Sequence, residues 1–535
     1  MKYPLIVFFI SLIFSFAAAQ TSSKKTAAID PDRWMKQELA RAKVKTALKN
    51  YDKNFFRPDS VRIIGYIEGY SPKLGFTSGI IYCGNQLTRE DYPATIRIYP
   101  DGRFETSYLT TNPEMSYLCF NDAIYKYYIE PGQTLSMILK ASATGQLELL
   151  RYGGPLAPEN QQLTDFKWED NRRKFYDHVE KLLKEKPVQQ TKAGIVSTWD
   201  SIRQDVNGRL ATAAYTSKVK HLIRSDVDVN YATQLLDLQM YRNGISKSDS
   251  LNPYLKEPLL GDYFDFIKRL NLNDPALFVP REFSTFINRF EYSPLFPTTK
   301  LYQIMNSQRK VDFYQVLDSL NRNVNGPIAG TLVTEAAKLR TLKSRISSVQ
   351  DTAQMARITT SLLTGLTNVD LKKEALALNE RVKKTMAGYV LPQTESAAVF
   401  KKLTDKYRGK VVLVDFWAES CGPCRAGIER MKEERLKLKD NPNLVFVFVT
   451  DSSGTPDMNF YKDYVAKNHM FESYIVSSDE YLALRELFKF NGIPRYILMD
   501  PDGKIRNDDF PMHNWRFELP KNYPQLFKNM FMPGS

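Results

Sequence analysis

The chain has 535 residues and a mass of 61.7 kDa, enough for about three to five domains at roughly 100–200 residues each. Apolar residues make up 43% of it and charged residues 25%, ordinary globular usage that excludes a disordered chain and a polytopic membrane protein. The formal charge of +14 comes from 74 Lys and Arg against 60 Asp and Glu with no long run of one sign, which reads as a solvated basic surface and not as nucleic-acid binding.

Residues 1–19 read as a signal peptide. Lys2 supplies a positive start, Leu5 to Phe16 is almost wholly apolar, and Ala17-Ala18-Ala19 offers a cleavage site before Gln20. An uncleaved anchor is the alternative, although the run is short for a membrane span, and no cysteine follows it to carry a lipid. No later stretch reaches about 18 apolar residues, so the mature chain is expected not to be an integral membrane protein. Residues 20–59 are polar and charged, with a helix expected around Trp34 to Leu48.

Residues 60–152 change in texture. β-rich runs such as Val61 to Ile64, Ala94 to Tyr99 and Tyr127 to Ile129 alternate with Asp101-Gly102 and Pro131-Gly132. Asp-Gly between two such runs marks a hairpin, because glycine accepts the positive φ of a tight turn. The expectation is a small antiparallel β-sandwich. Residues 153–390 read as helical, with Leu182, Leu183, Leu235, Leu236, Leu317 and Leu371 in polar surroundings and no internal repeat at a fixed period. Residues 391–535 alternate again. Apolar runs at Val411 to Val414, Leu444 to Val449 and Tyr496 to Met499 are separated by helical stretches at Cys424 to Leu438, Phe460 to Lys467 and Tyr481 to Phe490. This is an α/β layer around a central sheet. Ser477 with Glu480 forms a capping box, and Asp502-Gly503 turns into a final edge strand.

Four cysteines, Cys83, Cys119, Cys421 and Cys424, are too few for a disulfide scaffold in so long a chain. Cys421-Gly422-Pro423-Cys424 stands between a β-run and a helix, with no histidine at metal-ligand spacing, so a zinc site is not expected. Two intervening residues let the sulfurs meet across the first helical turn. Gly422 permits the tight loop, and Pro423 fits a turn where a missing N–H costs nothing. Cys421 falls at the helix N-terminus, where unpaired N–H groups favour its thiolate, the nucleophile of disulfide exchange. Cys424, one turn on, is placed to resolve the mixed disulfide. Cys83 and Cys119 fall in the β region, and the sequence leaves them bonded or unbonded.

Val414 to Arg425 closely resembles the active-site segment of thioredoxin. Residues 391–520 are similar to the TlpA-like extracytoplasmic thiol–disulfide oxidoreductases of the thioredoxin superfamily, with Tyr407-Arg408-Gly409-Lys410 as lead-in and Asn491-Gly492-Ile493-Pro494 as the cis-proline loop. Ile129 to Leu139, with Gly153-Gly154 and Asn160, resembles the small β-domain that precedes many such proteins. The resemblance implies a multidomain chain whose C-terminal α/β domain is thioredoxin-like. It implies that Cys421 attacks, that Cys424 resolves, that Asp415 is the buried carboxylate beneath the resolving cysteine, and that Pro494 is the cis-proline facing the disulfide. Asp415 would accept the proton of Cys424, or else be a structural residue satisfied by backbone donors. Trp417, Gly422, Pro423, Ile493 and Arg495 would line the substrate surface, Trp417 being otherwise simply core. Two residues depart from the family. Ser420 stands where Trp is common, and Arg495 where Thr is common; Arg495 either adds a cation near the site or points to solvent.

The function expected is an exported oxidoreductase that reduces protein disulfides in the periplasm or cell envelope. Its redox-active cysteine pair serves without another cofactor or a metal, and electrons come from a membrane-borne donor. The rival expectation is an envelope binding or scaffold protein that uses the thioredoxin-like domain for docking.

Overall fold

The computed structural model describes residues 30–527, apart from 43–44, 52–53, 121–122, 169–171, 260, 297, 308–310, 325 and 350, so the expected signal peptide lies outside the described residues. Asp30 opens the first helix, α1 (Pro31–Arg41), by accepting the N–H groups of Asp32 and Arg33. The sequence pattern carries this helix on to Leu48, but the chain leaves it at Ala42. The backbone N–H groups of Lys45 and Leu48 are taken instead by Gly132 and Glu130 of the β region.

Ten strands follow: β1 (Asp59–Glu68), β2 (Ser78–Ile81), β3 (Gly84–Asn85), β4 (Glu90–Asp91), β5 (Ala94–Ile98), β6 (Arg103–Thr110), β7 (Glu114–Phe120), β8 (Ala123–Ile129), β9 (Thr134–Ala141) and β10 (Leu147–Gly153). Eight form one sheet in the order β10-β9-β1-β6-β5-β2-β7-β8, and β3 pairs with β4 as a separate hairpin. This corrects the expected two-sheet sandwich. β1 runs antiparallel to β6 and parallel to β9, and so joins the strands into a single sheet. The sheet curls until its edges meet through side chains. Tyr125 on β8 donates to the Leu147 carbonyl on β10 at 2.6 Å, and Tyr152 on β10 to the Lys126 carbonyl on β8 at 2.7 Å. The barrel-like interior holds alternate residues such as Val61, Ile63, Ile96, Phe104 and Leu118. Gly65 lets the Phe104 ring lie against the β1 backbone, since a Cβ there would stand 2.2 Å from that ring. Met35 of α1 covers Ile64 and Ile138 from outside, which is why β1 and β9 are buried on both faces.

After α2 (Ala157–Asp165) the described residues up to 385 are mainly helical, including α3 (Val188–Thr212), α4 (Ser217–Ile245), α5 (Leu332–Arg340) and α6 (Val369–Thr385). Barrel and helices share one continuous apolar core, from Tyr51 through Phe104, Trp199 and Phe283 to Val382. Charges enter the seam in partnership. Lys218 on α4 reaches Glu130 at 2.8 Å and Glu159 at 3.0 Å, and Arg57 reaches Glu130 at 3.1 Å.

The C-terminal part has cores of its own. Its strands β11 (Val411–Phe416), β12 (Leu444–Asp451), β13 (Glu472–Val476), β14 (Arg495–Met499) and β15 (Ile505–Asn507) form a sheet in the order β13-β12-β11-β14-β15. β11, β12 and β13 are parallel, while β14 and β15 each run antiparallel to their neighbour. Helices α7 (Glu395–Thr404) and α11 (Ser478–Leu487) cover one face through Phe400, Tyr481 and Leu484. Helices α8 (Gly422–Arg430), α10 (Met458–Lys467) and α12 (Trp515–Asn522) cover the other through Ile428, Tyr464, Trp515 and Leu519. The stretch expected as one helix from Cys424 to Leu438 breaks at Met431, and α9 (Lys432–Lys437) follows. The capping box at Ser477 and Glu480 is present, and Gly503 makes the β14–β15 turn at φ 85°. Among the described residues no helix is long and apolar enough to cross a membrane.

Candidate redox site

β11 ends at Phe416, in the centre of the sheet, and the chain leaves it directly into the cysteine motif. Cys421 caps α8. Its backbone is extended, and its Sγ accepts the Cys424 N–H at 3.2 Å. Sulfur at a helix N-cap meets the positive end of the helix dipole, which favours its thiolate once the pair is reduced. Cys421 and Cys424 are joined in a disulfide, with Cα atoms 5.3 Å apart. Cys421 is partly exposed, and Gly422 and Pro423 are exposed, whereas Cys424 is fully buried. An incoming thiol or disulfide therefore reaches the first sulfur and not the second.

Asp415 lies on β11 between Phe448 of β12 and Tyr496 of β14. Along a strand the faces alternate, so Asp415 shares the face of Val411 and Leu413, the one covered by α8. It is 4% exposed, and its Oδ1 has no protein partner. Burial raises its pKa to about 8, while the Arg435 guanidinium pulls the other way. Near neutrality this side chain is mostly a neutral acid. The Ile493–Pro494 peptide bond is cis, and both residues are part-exposed at the start of β14.

Three other residues depart from what the resemblance implies or add to it. Trp417 is fully buried, with its ring stacked 5.4 Å from Tyr464 and 6.3 Å from Tyr461. It fills the core between sheet and helices and is not a substrate-contacting surface. Arg495 neither points to solvent nor is free for a partner. Its side chain is 12% exposed, pairs with Asp509 at 3.2 Å and Asp508 at 3.7 Å, and donates to the Phe488 carbonyl at 3.2 Å. Ser420 is exposed beside Cys421. Cys83 and Cys119 are free thiols. Cys119 pairs in register with Ile80, three residues before Cys83.

Sequence reasoning missed one group and the tie that holds another. Arg435 is 3% exposed beneath the site and donates to the carbonyls of Ile428 and Asn468 at 2.6 Å each. Nothing in the charged run Lys432 to Lys437 distinguishes it from its neighbours. Asn491 opens the cis-proline loop and is bonded to Asp91 of the barrel, 400 residues away. Among the described residues no group of three or more His, Cys, Asp or Glu side chains is placed to hold a metal ion.

Residues 409–505 match the family model described as thioredoxin-like. The thiol-disulfide oxidoreductase YkuV of Bacillus subtilis is 30% identical over 98 residues, 18% of this chain and 65% of YkuV. A probable nucleoredoxin 1 of Arabidopsis thaliana is 31% identical over 105 residues, 20% of this chain and 18% of that protein. The chain thus spans less than two thirds of either relative. Among solved structures, the thioredoxin domain of a thiol-disulfide oxidoreductase from Bacteroides vulgatus is 24% identical, the match covering 20% of this chain and 74% of that one at a TM-score of 0.18. A thiol-disulfide oxidoreductase from Bacteroides fragilis is 20% identical, covering 22% and 85% at a TM-score of 0.19. Likenesses at these TM-scores add nothing to the sequence match. Residues 409–505 thus form a thioredoxin-like domain, with a part-exposed Cys421 and a buried Cys424 at a helix start and a cis bond before Pro494.

Proposed function

We propose that the protein is an exported thiol–disulfide oxidoreductase that reduces disulfide bonds in other proteins. The observation that carries this reading is the pairing of a part-exposed, helix-capping Cys421 with a fully buried Cys424, on the sheet face that also holds Asp415. In the reduced protein the Cys421 thiolate attacks one sulfur of a substrate disulfide. A mixed disulfide forms, and the other substrate sulfur leaves as a thiolate. Cys424 then gives its proton to the ionised Asp415 and attacks the Cys421 sulfur. The substrate's second sulfur leaves, and the Cys421–Cys424 disulfide remains. Two electrons have passed to the substrate, and the chemistry calls for no cofactor beyond the two cysteines. Gly422, Pro423, Ile493 and Pro494 form the surface on which the substrate polypeptide lies. The apolar run at Leu5 to Phe16 supports export to the periplasm or cell envelope, where a membrane-borne donor would return the pair to the dithiol.

Insulin reduction and partner trapping test this. Full-length protein should reduce insulin, and Cys421→Ser should abolish the activity. Cys424→Ser should accumulate covalent complexes. A Cys421→Ser variant that still traps partners would reject the assigned roles. Full-length protein without exchange activity would favour the scaffold reading.

A further inference from the structure

The cis-proline loop is held from outside its own domain. Asn491, three residues before Pro494, donates its backbone N–H to Asp91 Oδ2 at 3.0 Å. Its Nδ2 donates to Asp91 Oδ1 at 3.1 Å and to the Cys83 carbonyl at 2.9 Å. Asp91 ends β4 and Cys83 immediately precedes β3, so both acceptors belong to the small hairpin of the barrel. That hairpin is itself tied down. Asn85 on β3 donates to Glu374 of α6 at 2.8 Å, and Arg381 of α6 grips Glu90 on β4 at 2.6 and 3.1 Å.

Neighbouring contacts fall on the segment that leads into the same loop. Thr77 and Ser78 bond Asp479 of α11, and the Thr95 N–H donates to Glu486 at 3.2 Å. Arg485 lies over the Tyr82 ring and Lys489 over the Tyr92 ring, each at 5.7 Å. Beside the loop a cleft of about 620 Å³ opens between barrel and helices, with Tyr82, Asp91, Met115, Arg281 and Asn491 in its walls.

We propose that Asp91 is a positioning residue: through Asn491 it fixes the Ile493–Pro494 backbone edge on which the substrate polypeptide lies, so that the barrel completes the substrate site of the catalytic domain. The inference rests on the oxidoreductase reading above. One carboxylate that accepts both N–H groups of one residue sets the position and the orientation of that residue. A loop held in its binding conformation saves the ordering cost at the moment of binding. A polypeptide that lies along the loop benefits from this. A small disulfide that meets only the Cys421 sulfur does not.

The test uses the full-length protein and two substrates, oxidised insulin and the small disulfide 5,5′-dithiobis(2-nitrobenzoate). Asp91→Ala should raise KM for insulin about tenfold with little change in kcat, so that the ratio of kcat/KM on insulin to that on the small disulfide falls about tenfold, equivalent to ~1.4 kcal/mol of binding. Asp91→Asn, which keeps one carbonyl acceptor, should restore part of the ratio. Asn491→Ala should lower the ratio similarly, and the double variant should fall no further, because both act through one contact. Should Asp91→Ala not fold, Asn491→Ala carries the test. An unchanged ratio, or equal losses on both substrates, would overturn the positioning role. Wild-type protein inactive on both substrates would overturn the oxidoreductase reading, and this inference with it.

Discussion

A carboxyl that keeps its proton to about pH 8 gives folding a pH dependence opposite to that of a salt-bridged aspartate. Asp415 has an ordinary value of 3.8, and burial raises it to about 8 in the folded protein. Between those two values the native state holds a proton that the unfolded chain has released. Stability therefore falls as pH rises through this window, with no effect below it and the full effect above it. Asp415→Asn removes the titration. The variant should match the oxidised wild-type protein near pH 4 and exceed it at pH 8 by roughly 2–5 kcal/mol, read from urea midpoints at the two pH values. An equal difference at both would show that Asp415 does not titrate in this range. The same ionisation governs its proposed chemistry, since only the carboxylate can accept the Cys424 proton. The resolving step should accelerate in wild type as pH rises through about 8, and stopped-flow traces of the Asn variant should lack that rise.

At the scale of elements, α11 connects the two parts of the molecule. Its capping box at Ser477 and Glu480 holds the start of a helix whose Asp479 and Glu486 meet the barrel. Ser477→Ala should cost about 1 kcal/mol of stability in chemical denaturation. A cost near zero would mean that packing of Tyr481 and Leu484 alone holds the helix. The capping box, the Asp-Gly turns and the Cys421/Cys424 spacing were legible because each is local chemistry within a few residues. Barrel closure was not, because it depends on β1 taking β9 as a parallel neighbour 72 residues on in register, from Arg62 to Thr134. No strand's own residues name that partner. One clue was present: Leu135, Met137, Ile138 and Leu139 crowd both faces of β9, which a sheet covered on one side would not require. Which of the two readings holds for Trp417, and where Arg495 turns, was not legible for a related reason. Their packing is decided by Tyr461, Tyr464, Asp508 and Asp509, which no motif brings together.

At the scale of the whole molecule, barrel and helices share one core while the C-terminal domain has its own, so the cysteine pair and the rest of the chain sit in separate bodies joined at the cis-proline loop and α11. The direction of electron flow then depends on the cysteine pair and its immediate surroundings. A strong disulfide oxidant stabilises its reduced form through a very acidic attacking thiol, and such pairs sit at about −120 mV, against about −270 mV for thioredoxin. The stabilising group visible at Cys421 is the start of α8, where the Cys424 N–H points at Sγ. That is a moderate effect. Gly422-Pro423 adds no side-chain donor, and Arg495, the cation the sequence offered nearby, is already paired with Asp508 and Asp509. Ser420 supplies no charge. These terms together lead to the prediction of a pair nearer the thioredoxin end of the range. Equilibration of the full-length protein with glutathione buffers, read by alkylation of Cys421, should yield a potential well below that of the strong oxidants. A value close to −120 mV would reverse the proposed direction, making the protein a donor of disulfides, while the exchange chemistry at Cys421 and Cys424 would stand.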